Sequence, residues 1–307
     1  MKLYDEIIII GAAGWLGKNL LNSISGISVR SDECIVTAVI QSESQTSSLD
    51  PFVNFINKII IADITKKDDL DFLKIDNGAR LVIHCASIIH PPRSNFFNKV
   101  NFQGTINLLE IAKESLAETT FIYISSNSPF GTNVSNNLSD SFDEKSGYNP
   151  YMLYGASKMM AEKAVLSSAS DNFHFCVLRA PWFYGSFQPD RQFEFFKMIK
   201  NGNVPLVGSG ENLRSMVSVE KLTCAIWLAA ATENAKNEVF WIADKHPYPM
   251  KSIIDKIRLI MDQEFGLLTT SSYLKLPNFV SKIAFVIDKF LQSVGLYNQK
   301  ISSSKYP

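Results

Sequence analysis

Residues 11–17 read Gly-Ala-Ala-Gly-Trp-Leu-Gly and directly follow the apolar run Ile7–Ile10. Between a strand and a helix, Gly11 permits a tight turn, Gly14 leaves room for a ligand beside the backbone, and Gly17 lets the helix pack closely on the strand. A helix that begins in such a loop presents unpaired N–H groups to a pyrophosphate. The stretch therefore predicts a nucleotide site of the strand–loop–helix kind.

Short apolar runs rich in Ile and Val recur along the chain without alternating polar residues. They are Ile7–Ile10, Cys34–Ile40, Lys58–Ile64, Leu81–Ala86, Phe121–Ser125, Phe173–Ala180 and Glu238–Ala243. Strands that are buried on both faces of a parallel sheet have this composition. Helical patterns lie between them, over Gly17–Ile24, Val100–Leu116 and Leu153–Ser168. The alternation predicts an α/β fold with a doubly wound parallel sheet of the Rossmann type.

The composition changes after Ala180. Residues 181–210 are rich in Phe, Gly and Pro around one helical pattern, and residues 246–307 are mostly helical in pattern. We therefore predict that residues 1–180 and 211–245 form a dinucleotide-binding domain. The segments 181–210 and 246–307 are predicted to form a smaller, mostly helical substrate lobe over the carboxyl ends of the strands, where open parallel sheets bind ligands.

The segment Asn278–Leu296 is amphipathic, with an apolar face that includes Phe279 and Phe290 and a polar face that includes Lys282 and Lys289. Such a helix can lie on a membrane surface or on a partner, or it can pack as a core helix of the smaller lobe. The sequence favours the core helix.

Composition and charge exclude several classes of protein. The chain has 307 residues, and its 30 basic residues equal its 30 acidic residues, so no basic surplus indicates a nucleic-acid partner. No uncharged stretch approaches the roughly 18 apolar residues of a membrane span. The four cysteines form no CxxC pair and are interpreted as free thiols in a reducing cytosol. The histidines lack metal-ligand spacing, and His84 is interpreted as a core residue, so we predict a cytoplasmic protein without a metal.

Tyr154 and Lys158 lie four residues apart, which places them on one face of a helix. A phenol has a pKa of about 10, and an adjacent ammonium lowers it toward the range of a general base. Such a tyrosine can exchange a proton with a substrate while a nicotinamide cofactor carries the hydride. Ser126 follows the run Phe121–Ser125, where its hydroxyl can hold the substrate oxygen. We predict Ser126, Tyr154 and Lys158 as catalytic residues.

The choice between NAD and NADP depends on the end of the second strand. NAD sites carry an acidic residue about 20 positions after the glycines, and here the neutral Gln41 stands at that place. However, no Lys or Arg occurs between Val39 and Asn57 to neutralise the 2′-phosphate of NADP. The sequence favours NAD, with NADP as the alternative. Glu43 is either the ribose partner or a solvated charge.

Two further polar residues have two interpretations each. Asp63 closes the third apolar run, where it can accept a hydrogen bond from an adenine amino group or cap the helical pattern that follows. Asn101 lies at the start of the pattern Val100–Leu116, where it is a cap or part of the nicotinamide pocket.

In order and spacing, these residues resemble the extended short-chain dehydrogenase/reductase family, of the NAD-dependent epimerase/dehydratase type. The resemblance runs from Gly11 to about Ala243. Beyond the glycine loop and the Tyr154–Lys158 pair, it rests on Val82-Ile-His-Cys-Ala86, Asn101-Phe-Gln-Gly-Thr105, Tyr123-Ile-Ser-Ser126 ahead of Gly131, Leu178-Arg-Ala-Pro181, and Arg214 ahead of Val217-Ser-Val-Glu220. It implies an NAD(P)-dependent enzyme that takes a small-molecule substrate and forms a homodimer.

The resemblance also implies which residues contact cofactor and substrate. The cofactor residues are Gly11, Gly14, Trp15, Leu16, Gly17, Gln41, Asp63, Ile64, Ala86, Ser87, Asn101, Ser125, Tyr154, Lys158 and Pro181. The substrate residues are Ser126, Asn127, Trp182 and Arg214. Arg214 matches an arginine that contacts the substrate diphosphate in nucleotide-sugar members of the family.

Departures from the family's patterns narrow the expected activity. Asn127 and Ser128 stand where 4,6-dehydratases carry an acidic pair, which argues against dehydration. Trp182 stands where sugar epimerases often carry Asn, and the run Ile83–Ile89 is similar to hydroxysteroid dehydrogenase-like members. We expect an oxidoreductase or epimerase acting on a secondary alcohol or ketone of a nucleotide sugar. The alternatives are a 3β-hydroxysteroid dehydrogenase-like enzyme acting on an apolar alcohol and, outside enzymes, a cofactor-sensing regulator.

Overall fold

The computed structural model describes residues 3–74, 77–132 and 141–297, and seven of its strands form one parallel sheet. These strands are β1 Tyr4–Ile10, β2 Arg30–Ile40, β3 Lys58–Ile61, β4 Ala79–His84, β5 Glu118–Ser126, β6 Phe173–Ala180 and β11 Glu238–Trp241. Their order is β3-β2-β1-β4-β5-β6-β11, and every neighbouring pair is parallel. The predicted doubly wound sheet is confirmed.

The isoleucines of β1 explain why the sheet is buried on both faces. Successive side chains of a strand point to opposite faces. Ile7 and Ile9 therefore enter one apolar core, and Ile8 and Ile10 enter the other. All four are at most 1% exposed. A strand between two cores needs apolar residues at every position, which is the pattern seen in the sequence.

Four helices cover the two faces of the sheet. They are α1 Trp15–Ser23, α2 Gly104–Lys113, α3 Met152–Leu166 and α5 Val219–Ala231. On one face, α1 and α5 pack their leucines with Ile7 and Ile9. On the other face, α2 and α3 pack with Ile8 and Ile10. A π-helical turn over Phe97–Gln103 leads directly into α2.

Some predicted elements have different ends. The third apolar run was expected to be a strand to Ile64, but β3 ends at Ile61 because Asp63 forms a turn with Thr65. Ahead of α5, a short strand, β10 Met216–Ser218, pairs with β7 Trp182–Tyr184. The helix α5 then starts where the Ser218 side chain accepts a hydrogen bond from the Lys221 N–H.

The remaining elements lie outside the large sheet. They are β8 Pro205–Val207, β9 Leu213–Arg214, β12 Tyr248–Pro249, β13 Leu274–Leu276, α4 Arg191–Lys200, α6 Met250–Phe265 and α7 Asn278–Ser293. A third apolar core joins both predicted lobe segments through Ile199, Leu206 and Ile254. The division into two domains stays a prediction, and residues 298–307 of the predicted lobe lie outside the described residues.

Candidate active site

Most of the residues predicted to bind cofactor or substrate lie along one edge of the sheet. Parallel strands end at the same edge, so the segments that follow them are brought together. Gly11 follows β1, Gln41 follows β2, Asp63 and Ile64 follow β3, Ala86 and Ser87 follow β4, Ser125, Ser126 and Asn127 close β5, and Pro181 and Trp182 follow β6. The strand order reverses between β1 and β4, and open α/β sheets bind ligands at such a crevice.

The glycine loop has the geometry that a pyrophosphate requires. Gly11 has a φ of +89°, and a Cβ there would lie 2.8 Å from the Ala86 nitrogen. A Cβ on Gly17 would lie 2.4 Å from the Gly11 carbonyl oxygen. A Cβ on Gly14, by contrast, would meet only that oxygen, at 3.1 Å, within 4 Å. Gly11 and Gly17 are therefore required by packing, whereas Gly14 keeps space open at the start of α1.

The side chains of Trp15 and Leu16 hold the loop in place. The Trp15 indole donates a hydrogen bond to the Ser186 carbonyl at 2.7 Å and packs on Phe183. Leu16 is 5% exposed and belongs to the core. The groups these residues can offer a ligand are thus their backbone N–H groups, which as part of a first helical turn have no carbonyl partner inside the helix.

The end of β2 is open and carries no basic residue. Gln41 is exposed, and its N–H donates to the Gln45 side chain at 2.9 Å. Glu43 is also exposed and begins a 3₁₀ helix over Glu43–Phe55. The Asp63 carboxylate accepts hydrogen bonds from the Thr65 N–H and hydroxyl, so it shapes the turn after β3.

Asn101 is not a helix cap, because it lies inside the π-helical turn and is 2% exposed. Its side-chain oxygen accepts from the Ile88 N–H at 2.8 Å and from the Ser87 hydroxyl at 3.1 Å. Its amide donates to the Ile88 carbonyl at 3.0 Å and to the Ser157 hydroxyl at 3.2 Å. Asn101 thereby ties the segment after β4 to α3, the helix that carries Tyr154. The assignment of Asn101 to the nicotinamide pocket stays a prediction.

Lys158 is buried beneath the carboxyl end of β5. It is 2% exposed, and its Nζ donates to the Ile124 carbonyl at 2.7 Å and lies 4.2 Å from the centre of the Tyr123 ring. Burial lowers the pKa of Lys158 to about 7, while the Glu162 carboxylate acts in the opposite direction. Because this pKa is close to neutral pH, a charged ligand beside Lys158 would change the protonation of its amine.

Tyr154 and Ser126 lie at the same edge. Tyr154 is half-buried in the first turn of α3, and its ring centre is 6.0 Å from that of Phe97. Ser126 is the last residue of β5, and its hydroxyl makes hydrogen bonds at 3.3 Å with Asn127 and Ser128. Ser125, one residue earlier, points the other way and donates to the Glu162 carboxylate. The strand therefore presents Ser126, not Ser125, as the hydroxyl at the edge.

A buried charge network beneath the site was not found from the sequence. Glu162 is 0% exposed, and its carboxylate accepts from the Arg179 guanidinium at 2.8 and 3.0 Å and from the Tyr148 hydroxyl at 2.9 Å. It also accepts from Ser125. Glu162 follows Lys158 by one helical turn, so this network fixes α3 to β5 and β6. In the sequence, Glu162 and Arg179 appear only as single charged residues within the apolar patterns of α3 and β6.

Arg191, at the start of α4, was also missed. Desolvation lowers the pKa of its guanidinium, and the phenols of Tyr154 and Tyr297 act in the opposite direction. The same guanidinium contributes, after burial, to lowering the pKa of His90 to about 4. A cation is thus close to the predicted catalytic tyrosine. No motif marks it, because it comes from a helix about 40 residues later in the chain.

His84 is a core histidine, as expected. It is 1% exposed, its Nε2 is 2.9 Å from the Thr105 hydroxyl, and burial lowers its pKa to about 3. Among the described residues, no group of three or more His, Cys, Asp or Glu side chains is arranged to hold a metal ion.

The predicted substrate residues lie on short strands beyond the sheet edge. Trp182 is the first residue of β7, and its ring packs on Phe195 at 5.8 Å. Arg214 lies on β9, opposite Tyr248 of β12. The Glu220 carboxylate, near the start of α5, accepts hydrogen bonds from the Ser186 N–H and hydroxyl.

Comparison with known proteins identifies the family. The family model described as "NAD dependent epimerase/dehydratase family" matches residues 7–243. The chain is 35% identical over 303 residues to the uncharacterized protein y4nL of Sinorhizobium fredii, which covers 96% of this chain and 83% of that protein. The family match runs from Ile7, within β1, to beyond the end of β11.

Two curated relatives have named activities. The UDP-glucose 4-epimerase of Vibrio cholerae is 25% identical over 270 residues, which is 85% of this chain and 77% of that protein. The human sterol-4-alpha-carboxylate 3-dehydrogenase, decarboxylating, is 26% identical over 261 residues, which is 81% of this chain and 65% of that protein. One relative thus acts on a nucleotide sugar and the other on a sterol.

A solved structure has the same fold. The crystal structure of dTDP-glucose 4,6-dehydratase from Bacillus anthracis in complex with NAD superposes with a TM-score of 0.71 at 17% identity. The match covers 89% of this chain and 84% of that chain.

Proposed function

Since the chain belongs to the NAD dependent epimerase/dehydratase family, we propose that it is an oxidoreductase or epimerase that acts on a secondary alcohol or ketone of a nucleotide sugar. The relatives with named activities are enzymes, so the cofactor-sensing regulator is set aside. The observation that carries the proposal is the buried Lys158 ammonium, one helical turn from Tyr154 and beneath the edge where Ser126 ends β5.

The cofactor fits the loop between β1 and α1. Gly14 leaves room for a pyrophosphate, and the first N–H groups of α1, those of Trp15, Leu16 and Gly17, would bind it. NAD, when bound, accepts a hydride from the alcohol carbon and returns it. We propose NAD over NADP, because the exposed end of β2 at Gln41 offers no cation for a 2′-phosphate.

In the proposed mechanism, the Ser126 hydroxyl holds the substrate oxygen and the Tyr154 phenol exchanges the proton of that oxygen. The Lys158 ammonium favours the phenolate form of Tyr154 and holds the ribose of the cofactor. During oxidation the O–H bond breaks, the proton moves to the phenolate, and the C–H hydride leaves as the carbonyl forms. In the reverse step, Tyr154 returns the proton to the carbonyl oxygen.

We expect NAD binding to weaken as the pH rises through about 7, because Lys158 then loses the charge that its ribose contact needs. For one required proton, the affinity falls by at most about tenfold per pH unit above that value. Calorimetric titration on both sides of neutral pH measures this, and binding should take up a proton above pH 7.

Lys158→Met should bind NAD weakly and without this pH dependence. Lys163→Met, on the exposed side of the same helix, is the matched control and should keep the wild-type profile. A wild-type affinity that does not change with pH would show that the Lys158 charge has no part in binding.

The substrate class rests on Arg214 and Trp182. A guanidinium can hold a diphosphate through two parallel hydrogen bonds, and an indole can stack on a nucleobase. β7, which carries Trp182, pairs with β10, and Arg214 lies two residues before β10. Both residues are therefore on neighbouring backbone segments beyond the carboxyl edge.

UDP, GDP or dTDP should raise the melting temperature of the NAD-bound protein, because a ligand that binds only the folded state stabilises it. At a ligand concentration 100 times its dissociation constant, the gain is about 2.7 kcal/mol in the free energy of unfolding. Arg214→Ala should remove the gain and leave NAD binding intact.

Arg191→Ala separates the two candidate cations in this experiment. If Arg191→Ala abolishes the gain and Arg214→Ala does not, the diphosphate contact belongs to α4. If no nucleoside diphosphate stabilises the protein and a sterol-like alcohol reduces NAD, the nucleotide-sugar proposal is wrong.

The second candidate, an apolar alcohol, is favoured by one observation. The ring of Phe97 lies beside both Tyr154, at 6.0 Å, and Tyr297, at 5.3 Å, and Ile89 nearby is 36% exposed. Tyr154 is therefore packed against an apolar aromatic cluster on this side. The human sterol dehydrogenase among the relatives gives this candidate its substrate class.

A further inference from the structure

The helix α7 exposes its apolar face instead of burying it. Its outward residues are Phe279, Ile283, Val286, Ile287, Phe290 and the adjoining Val294, which are 60, 51, 64, 44, 65 and 54% exposed. Their spacing places them within one stripe of about 100° along the helix. We call this set the outward stripe. Contiguous exposed apolar residues of this kind mark a surface that binds something.

Polar residues fix α7 in this orientation. Asp288 and Gln292, on the opposite side of the helix, are 0% and 7% exposed. The Gln292 amide donates to Asp288 at 2.8 Å, and its oxygen accepts from the Leu153 N–H at 3.3 Å. The Ser94 hydroxyl donates to the Gln292 carbonyl at 3.0 Å. Turning the outward stripe inward would break these bonds, so its exposure is built into the packing.

The charge around the outward stripe indicates its partner. Residues 274–297 contain three lysines and one acidic residue, a net charge of +2, although the whole chain is neutral. The one acidic residue, Asp288, is the buried one, whereas Lys275 and Lys289 are exposed. An exposed apolar stripe with cations and no exposed carboxylate complements an anionic lipid surface.

The helix would lie in the membrane surface and not cross it. With 16 residues, α7 is about 24 Å long. In the described parts of the chain, we find no helix with both the length and the apolarity that a membrane span requires.

The inner side of α7, opposite the outward stripe, packs next to the start of α3. Phe285 of α7 packs on Tyr151 at 5.8 Å, next to the start of α3. Beyond α7, Tyr297 packs on Phe97, which in turn contacts Tyr154. We propose that the outward stripe docks the protein on anionic lipid bilayers, with α7 lying between the lipid and the Tyr151 end of α3. This attachment goes beyond the proposed function and does not depend on it.

Sedimentation of the full chain with lipid vesicles tests the proposal. We expect binding to phosphatidylcholine vesicles that contain phosphatidylglycerol, and weaker binding at high salt. Val286→Asp combined with Phe290→Asp should weaken binding at least tenfold. Each substitution removes an apolar side chain that the lipid would bury. Lys275→Gln and Lys289→Gln, which each remove one positive charge, should each weaken it about fivefold.

The matched control is Leu228→Asp, which replaces another strongly exposed leucine, on α5, and should keep vesicle binding. NAD titration checks that each variant is folded, since α7 has no part in the proposed cofactor site. Failure of the wild type to bind the anionic vesicles overturns the proposal, as does equal binding by the Val286/Phe290 variant. A wild-type dimer that this variant converts to a monomer, without vesicle binding, would instead assign the outward stripe to a second copy of the chain.

Discussion

Tyr154→Phe is expected to lower kcat by about 10²-fold or more, because proton transfer by a positioned group contributes typically that much. The ring stays in the first turn of α3 beside Phe97, so the fold and the NAD affinity should hardly change. The measurement is NADH formation or epimer formation with sugar esters of the nucleoside diphosphate that stabilises the protein, together with an NAD titration.

Tyr151→Phe, the same change three residues earlier, is the control and should keep kcat close to that of the wild type. Ser126→Ala should lower kcat less than Tyr154→Phe, since it removes a hydrogen bond and not the proton donor. Full activity of Tyr154→Phe on the true substrate would mean that another group transfers the proton. The same kcat measurement on variants of Arg191 and His90 would then test these two residues.

Gly14→Val is expected to abolish NAD binding while the protein still folds. Gly14 has an extended backbone with φ −75° and ψ 172°, which valine also adopts, and only the Gly11 oxygen lies near the added Cβ. The new side chain would occupy the space where the pyrophosphate meets the start of α1. Titration with NAD and NADP measures the loss, and circular dichroism checks the fold.

Gly26→Val is the matched control, because nothing lies within 4 Å of a Cβ at that position. It should bind NAD like the wild type. Unchanged NAD binding by a folded Gly14→Val protein would place the cofactor elsewhere, and tighter binding of NADPH than of NADH by the wild type would contradict the proposed preference.

The sheet could be predicted because its physical cause is visible in a single run of residues. Four isoleucines in β1 serve two cores, and the same need recurs in β2, β4, β5 and β6. The glycine loop could be predicted for the same reason, since Gly11 and Gly17 meet neighbouring backbone at distances that exclude a side chain. The homodimer and the domain boundaries stay predictions.

Parts of the site depend on contacts between distant segments and leave no local pattern. Asn101 bonds to Ile88 and Ser157, so its position in a π-helical turn could not be read from helical periodicity. Arg191 is distant from Tyr154 in the sequence, and only the tertiary fold lets the two side chains influence each other. For α7, the periodicity was interpreted correctly as amphipathic, but the core side was assigned to the wrong face. Two polar anchors, Asp288 and Gln292, outweigh the apolar stripe.

The buried pair of Glu162 and Arg179 has a consequence for how the molecule opens. Their atoms are 2.8 Å apart and join α3 to β6, so moving α3 off the sheet would leave both charges without a partner in an apolar interior. Removing one partner of such a pair typically costs about 3–5 kcal/mol. Local fluctuations therefore cannot release α3 alone, and its amide hydrogens should exchange only when the central sheet itself comes apart. Tyr154 and Lys158 are thus carried by one of the last elements to unfold, which keeps their relative placement constant while the surrounding loops move.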